Sequence, residues 1–447
     1  MNHKEKDPSR WIVWFLFAFM FILAVTGAVV GVLVPKMQED YQLTYDRIGY
    51  LSSIQNVGGF VTVLVGGLLA DRFDKLRLIG VCALIYTVCL LFSGMIPPYA
   101  VLLLLFFVIG AMSNMESVLV SAYISQKYQE KAFSYLNISH GFFGAGSLIG
   151  PTYATILFGL NLKWTRLYQT LAVTCGLILV LYVILQWKLR TQSDRTTERE
   201  GILESAQDVT LVQGMTPVQG MQQESAQEAM PVQNMKSSQD ATPVQNRNPK
   251  EAKKESGGYR SLLTHAGVIS LCAACCVYMG QQTALSTWIT SYSLEAATKS
   301  TTLAGLVTSI YWLGITLGRF LQSLINEKAD SVKMTLLGCT VGSVLLAIAL
   351  VSGNIWVILV LVCANGICTG AAYPNMIGAM GKAAPGLTGA GTSALCITGT
   401  LGGIFFPWIT AKVIGLSYLG GMMICPAAQL ITAALLGICI LRTNAKN

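Results

Sequence analysis

Glu116 and His140 are the side chains of this sequence with the most chemistry in the least hospitable surroundings. Glu116 stands in Asn114-Met115-Glu116-Ser117, within an apolar run from Ala100 to Tyr123. A carboxylate in such a run is expensive to keep ionised, which suits a group that cycles between protonated and charged states. His140 is the one histidine well inside an apolar run, and Asn137, three residues before it, shares its helical face. If the segments bearing Glu116 and His140 pack antiparallel, the carboxyl reaches His140 or Asn137, and a Glu-His pair can relay a proton or orient a hydroxyl. A paired or neutral structural glutamate and a hydrogen-bonded structural histidine are the plain alternatives.

A second set of polar residues interrupts the apolar runs: Gln55, Asn56, Asn114, Gln281, Gln282, Asn365 and Asn375. Amides offer donors and acceptors without charge, and Trp288, Tyr292, Tyr311 and Trp312 offer flat apolar faces. With Asn137 they form the expected contact set for an uncharged, hydroxyl-rich ligand. For each amide alone, bonding from helix to helix is as good an explanation. Cys272, Cys275 and Cys276 cluster without a His or carboxylate, so no metal or other cofactor is expected there. Gly146, Gly150, Gly399, Gly402 and Gly403 read as packing and bending sites, since a phosphate loop needs a strand before it and an exposed helix start after it. No grouping of nucleophile, base and orienting residue is present, which argues against an enzyme.

The elements that position these residues follow from composition. The chain is 53% hydrophobic and 12% charged, about half the ~25% charge of soluble domains. At roughly 20 apolar residues per crossing, six spans are expected at Trp11 to Leu33, Ile48 to Leu69, Leu78 to Ile96, Ala100 to Tyr123, Phe133 to Phe158 and Leu167 to Trp187. Six more are expected at Leu262 to Tyr292, Thr302 to Ile325, Val332 to Val351, Ile355 to Met380, Leu387 to Val413 and Tyr418 to Leu441. Between the sets, Thr191 to Gly258 repeats Pro-Val-Gln at Pro217, Pro231 and Pro243 and holds too little apolar surface to offset its ordering entropy, so it reads as a disordered tether. The expected organisation is an all-α membrane protein with a six-helix bundle over residues 1–190, a linker over 191–259 and a second bundle over 260–447. With both termini cytoplasmic, only Lys36, Arg47, Lys163, Arg166, Lys299 and Lys412 of the thirty Lys and Arg fall in outside loops. The net charge of +8 is thus a topogenic signal rather than a footprint for nucleic acid.

A motif appears after the second span, where Gly67-Leu68-Leu69-Ala70-Asp71-Arg72 leads to Arg77. The corresponding second-half stretch is read as Gly314-Ile315-Thr316-Leu317-Gly318-Arg319. The first of these resembles the loop motif of the major facilitator superfamily, departing from it at Asp74, where the motif has Gly. Leu33-Val34-Pro35, Gly110 to Ser121, Leu136 to Gly144 and Tyr311-Trp312-Leu313-Gly314 look like the fucose permease and sugar-transporter branch of that superfamily. The resemblance implies two six-helix bundles around a central cavity. It also implies gating contacts from Gly67, Asp71, Arg72, Arg77, Gly314, Gly318 and Arg319, and a protonatable carboxylate at Glu116. Two departures remove charge: Gly31 stands where that branch has an acid in the first span, and Gln281 and Gln282 follow Tyr278-Met279-Gly280 where an acid is common. Glu116 then works alone, serves the substrate, or belongs to a facilitator that couples to no ion.

The expected protein is therefore a monomeric, multi-pass cell-membrane transporter of a small polar solute, a sugar or polyol, with protons as the candidate coupling ion. Export of amphipathic compounds and a membrane sensor on the same fold are the rival readings.

Overall fold

The computed structural model describes residues 9–128, 132–213, 266–323, 330–383 and 388–444, and all regular structure in them is helical. In lipid a backbone must satisfy its own hydrogen bonds, so apolar runs of this length fold as helices. The first six are α1 (Ser9–Tyr41), α2 (Tyr45–Arg72), α3 (Lys75–Ser93), α4 (Tyr99–Lys127), α5 (Ala132–Gly159) and α6 (Trp164–Gln213). The rest are α7 (Ala266–Ala296), α8 (Thr301–Ser323), α9 (Ser331–Ser352), α10 (Ile355–Thr369), α11 (Ala372–Ala383), α12 (Thr388–Ile414) and α13 (Tyr418–Asn444). Among the described residues, twelve stretches are long and apolar enough to cross a membrane, the tenth of them spanning α10 and α11.

Residues Met1–Ile184 and Gly257–Asn447 form one compact unit and Leu185–Ser256 a second. In the second, α6 stays helical to Gln213, which corrects the expectation of disorder from Thr191 onward. The Glu, Gln, Arg, Ala and Leu of that segment are good helix formers, and low apolar content weakens tertiary packing without abolishing local helix. Residues 214–258, with the Pro-Val-Gln repeats, lie outside the described residues.

An internal repeat governs the main unit. Helices α2 and α8, α3 and α9, α4 and α10, and α5 and α12 begin at Tyr45 and Thr301, Lys75 and Ser331, Tyr99 and Ile355, and Ala132 and Thr388, all at one sequence offset. The packing repeats at the same offset. A Cβ on Gly58 would lie 2.0 Å from the Phe107 carbonyl oxygen, and one on Gly110 1.9 Å from that of Gln55, so α2 and α4 touch backbone to backbone. In the second half Gly314 meets the Cys363 carbonyl and Gly366 that of Tyr311, joining α8 to α10 in the same way.

This register corrects the motif repeat read from the sequence. Gly314 is the counterpart of Gly58, a helix-packing residue, rather than of Gly67 in the motif. The stretch that does match Asp71-Arg72-Phe73-Asp74-Lys75-Leu76-Arg77 is Glu327-Lys328-Ala329-Asp330-Ser331-Val332-Lys333. Its central aspartates do the same job. Asp74 accepts from the Arg77 amide at 2.8 Å, and Asp330 accepts from the amides of Val332 and Lys333 at 3.0 and 3.4 Å. Each caps the N-terminus of its helix, which gives a physical role to the residue that departs from the superfamily motif.

The two halves meet through α2 against α12, α5 against α8 and α1 against α7. Gly49 packs on Ala411 and Pro407, and Gly305, its counterpart, packs on Thr155, the counterpart of Ala411. Hydrogen bonds run from Ser53 to the Ile404 carbonyl at 2.7 Å, from Thr152 to Ser309 at 3.0 Å and from Thr287 to Ser52 at 3.3 Å. Lys412 and Asp46 form an ion pair at 2.6 Å. These contacts lie in the half of each helix farther from the chain termini, so the molecule is closed on that side.

Candidate functional site

A cavity of about 300 Å³ lies between the halves, walled by α1, α2, α4, α5, α7 and α8. Each wall is a helical stripe of residues three or four apart. From α2 come Ser52, Gln55 and Asn56, from α4 Gly110, Ser113 and Asn114, and from α7 Met279, Gln282, Thr283, Ser286 and Thr287. Phe143 of α5 and Trp312 of α8 supply flat faces, and Leu23, Gly27, Val30 and Gly31 of α1 the remaining wall. Among the described residues no Asp, Glu, Lys, Arg or His lines it.

Several of these groups are already oriented. Asn56 donates to the Ser52 carbonyl at 2.8 Å and Asn114 to the Gly110 carbonyl at 3.1 Å, which fixes both amides by one donor each. The Trp312 indole N–H donates to Ser286 Oγ at 3.2 Å. Gln55 and Gln282, one from each half, both line the cavity, and among the described residues no hydrogen bond occupies their side-chain amides. They are the pair best placed to engage a ligand.

Of the expected contacts, Gln55, Asn56, Asn114, Gln282 and Trp312 are brought together. The others are not. Gln281, Asn365 and Gln429 form a buried amide chain inside the second half, where Asn365 donates to Gln429 at 2.9 Å and to the Gly342 carbonyl at 2.8 Å, and Gln429 donates to Gln281 at 3.3 Å. Trp288 is fully buried and donates to the Pro407 carbonyl, Tyr292 donates to the Leu350 carbonyl, and Tyr311 is fully buried inside the second half. Asn375 donates to Thr335 at 2.9 Å. Asn137 lies in the first turns of α5. Among the cavity residues that the sequence reading missed are Ser52, Ser113, Phe143, Met279, Thr283, Ser286 and Thr287. Stepping by three and four from Gln55, Asn56 and Gln282 finds Ser52, Met279 and Ser286.

Glu116 does not line the cavity, so of the roles left open for it, contact with the solute is not seen in this state. It is 1% exposed, and its Oε1 has no hydrogen-bond partner. Two residues on from Asn114 it is turned about 200° around the helix, and it lies within electrostatic range of Cys82 and Tyr86 on α3 and Cys175 on α6. His140 is exposed and within electrostatic range of Arg319 on α8. Of the two partners expected for Glu116, His140 forms no hydrogen bond with it among the described residues. α4 presents Asn114 rather than Glu116 toward the gap between the halves.

Gly31, the residue in place of a first-span acid, has a geometric reason. A Cβ there would lie 2.0 Å from the Ser286 carbonyl oxygen. The backbones of α1 and α7 cross at this point, and no acidic side chain fits.

The expected gating residues divide. Arg72 ends α2 and Arg77 stands in the first turn of α3, both exposed, while Gly67 and Asp71 lie in the last turns of α2. Gly314 and Gly318 hold α8 against α10 through the Cys363 and Ile367 carbonyls. The tenth span breaks between α10 and α11, and a break in lipid frees carbonyls that need partners. Tyr278 donates its hydroxyl to the Thr369 carbonyl at 2.6 Å, and Arg319 donates Nε to the Gly370 carbonyl at 3.1 Å. A cation at a helix C-terminus also opposes the helix dipole.

No curated protein matches the chain by sequence. Solved transporters share its fold. A bacterial homologue of the human lysosomal transporter Spinster, inward-facing and unoccupied, is 11% identical with a TM-score of 0.68, covering 98% of this chain and 97% of that one. The nucleoside transporter NupG is 11% identical with a TM-score of 0.67, covering 97% and 98%. The peptide transporter POT, in complex with sulfate, is 14% identical with a TM-score of 0.68, covering 97% and 95%. The sequence profile of the Major Facilitator Superfamily matches residues 15–407. With that match over most of its length and, among the described residues, twelve membrane-length stretches in two repeated sets around a central cavity, the chain belongs to the Major Facilitator Superfamily.

Proposed function

We propose that the protein moves a small neutral polar solute, a sugar or polyol, across the cell membrane by alternating access through this cavity. The observation that carries the reading is the lining itself: four amides, several hydroxyls and two aromatic faces, with no ionisable group among the described residues. Such a surface satisfies hydroxyls on a flat ring and offers nothing to a net charge. The volume stands at the lower end of small-molecule sites, about 300–1,000 Å³. Nucleosides and peptides, the cargo in the names of two structural relatives, are not carried over, because the fold supports many substrates.

With both termini cytoplasmic, as the distribution of Lys and Arg favours, a closed side away from the termini corresponds to the inward-facing state. A proton on Glu116 would then act at a distance, through the packing of α4 on α3 and α6, rather than by touching the solute. Uptake of a panel of labelled neutral and charged solutes into proteoliposomes, with and without a proton gradient, tests this for the parent and Glu116→Gln. Entry of sugars or polyols that saturates, in preference to charged analogues, is the expected result. Preference for a charged solute, or no solute movement at all, would sink the reading.

A further inference from the structure

We infer that a membrane-facing groove between the two halves binds an anionic phospholipid, with an acyl chain in the groove and its phosphate at Arg47. The groove, about 470 Å³, is separate from the central cavity. Its walls are Tyr50, Ile54 and Val57 of α2, Leu103 of α4, and Phe405 and Trp408 of α12.

The setting identifies the occupant. Tyr50 and Phe405 are 40% and 52% exposed on helices that cross a membrane, so the groove opens to lipid. Arg47, Tyr50, Ile54 and Val57 follow one another at three- and four-residue steps on one face of α2. From Arg47 to Val57 the helix rises about 15 Å, half of the ~30 Å hydrocarbon core and so the depth of one leaflet.

All three walls place their polar end at the same level. Arg47 is in the first turn of α2. Tyr99, one turn before Leu103, begins α4, and its hydroxyl donates to the Arg47 carbonyl. Lys412, one turn beyond Trp408, stands at the end of α12. Lys412 is taken up by Asp46, whereas the exposed Arg47 has no hydrogen bond or ion pair from its guanidinium among the described residues. A cation left over at the mouth of an apolar groove one leaflet deep matches a phosphate above an acyl chain.

Because α2 and α4 belong to one half and α12 to the other, a chain lodged here touches both only while the side away from the termini is closed. The bound lipid thus favours that state.

The test is native mass spectrometry of the purified full chain, after removal of co-purified lipid, titrated with phosphatidylglycerol and with phosphatidylcholine. The parent is expected to retain phosphatidylglycerol in preference. Arg47→Gln should weaken phosphatidylglycerol retention about fivefold, the effect of one basic residue near a membrane surface, and weaken phosphatidylcholine less, because its choline cation already offsets the phosphate charge. Val57→Trp and Leu103→Trp, which fill the groove from different helices, should lower retention of both lipids, and thermal unfolding identifies either variant if it has lost its fold. Equal retention of the two lipids by the parent, or an Arg47→Gln variant that binds phosphatidylglycerol as the parent does, would overturn the assignment, including its headgroup element if only the groove-filling variants lose lipid.

Discussion

Asp46 of α2 and Lys412 of α12 meet at 2.6 Å across the two halves, on the side away from the chain termini. Their side chains are 36% and 47% exposed, so water and salt screen the pair and it adds little to closure. Asp46→Asn is expected to shift the balance toward opening on that side by at most about fivefold, and raised salt should do the same to the parent. Labelling rates of a cysteine placed at Ser52, compared with and without the ion pair, would read this shift. Unchanged rates would show that the apolar closure alone holds the side shut.

Gly31 sets a stricter limit. A methyl group there must displace the Ser286 backbone, so Gly31→Ala is expected to disfavour closure far more than loss of the ion pair, and Gly31→Asp more again. Transport should fall in the order parent, Ala, Asp, while the protein still reaches the membrane. Full activity of Gly31→Asp would mean that α1 and α7 separate at this point during the cycle with little cost.

The capped break in the tenth span leads to a stability prediction. Removing a partner from a buried carbonyl costs about 1–3 kcal/mol. Tyr278→Phe and Arg319→Ala should each lower the thermal midpoint, and the double variant less than additively, because both caps serve one helix end. Midpoints in detergent measure this directly. Strict additivity would indicate that Arg319 stabilises through something other than the break.

Cavity and packing amides should part company in kinetics. Gln55→Ala and Gln282→Ala are expected to raise KM for the transported solute about tenfold, the value of about 1.4 kcal/mol. Asn365→Leu and Gln281→Leu should lower stability and leave KM within about twofold of the parent. Glu116→Gln belongs with the second group in affinity, since the carboxyl lies behind the wall that Asn114 faces. A large KM rise for Glu116→Gln with normal stability would place the carboxyl in the solute path in another state of the cycle.

The spans were legible because apolar length is a one-dimensional property, and each expected crossing falls on helix among the described residues, the tenth on the pair α10 and α11. Which face of a helix looks inward was not. In a soluble helix the polar stripe marks the solvent side, but here lipid-facing and core-facing positions are both apolar, so Gln281 and Gln282 look alike in sequence while one bonds Gln429 and the other lines the cavity. The repeat was partly legible: two halves were expected, but the register followed the Gly314 and Arg319 spelling instead of the capping aspartates Asp74 and Asp330. Glycines that permit helix contact occur throughout such a protein, whereas a helix-capping aspartate flanked by basic residues is tied to one place in the fold.

The repeat also shows where the halves differ mechanically. At the common offset, Asn114 on the unbroken α4 corresponds to Gly370 at the break between α10 and α11. One half therefore faces the cavity with a stiff rod, and the other has a joint at the same depth, pinned by Arg319 and Tyr278. When the molecule rocks, the first half transmits motion along α4 as a lever does. The second can bend at Gly370, so that its segment nearer the termini swings while α10 stays seated against α8.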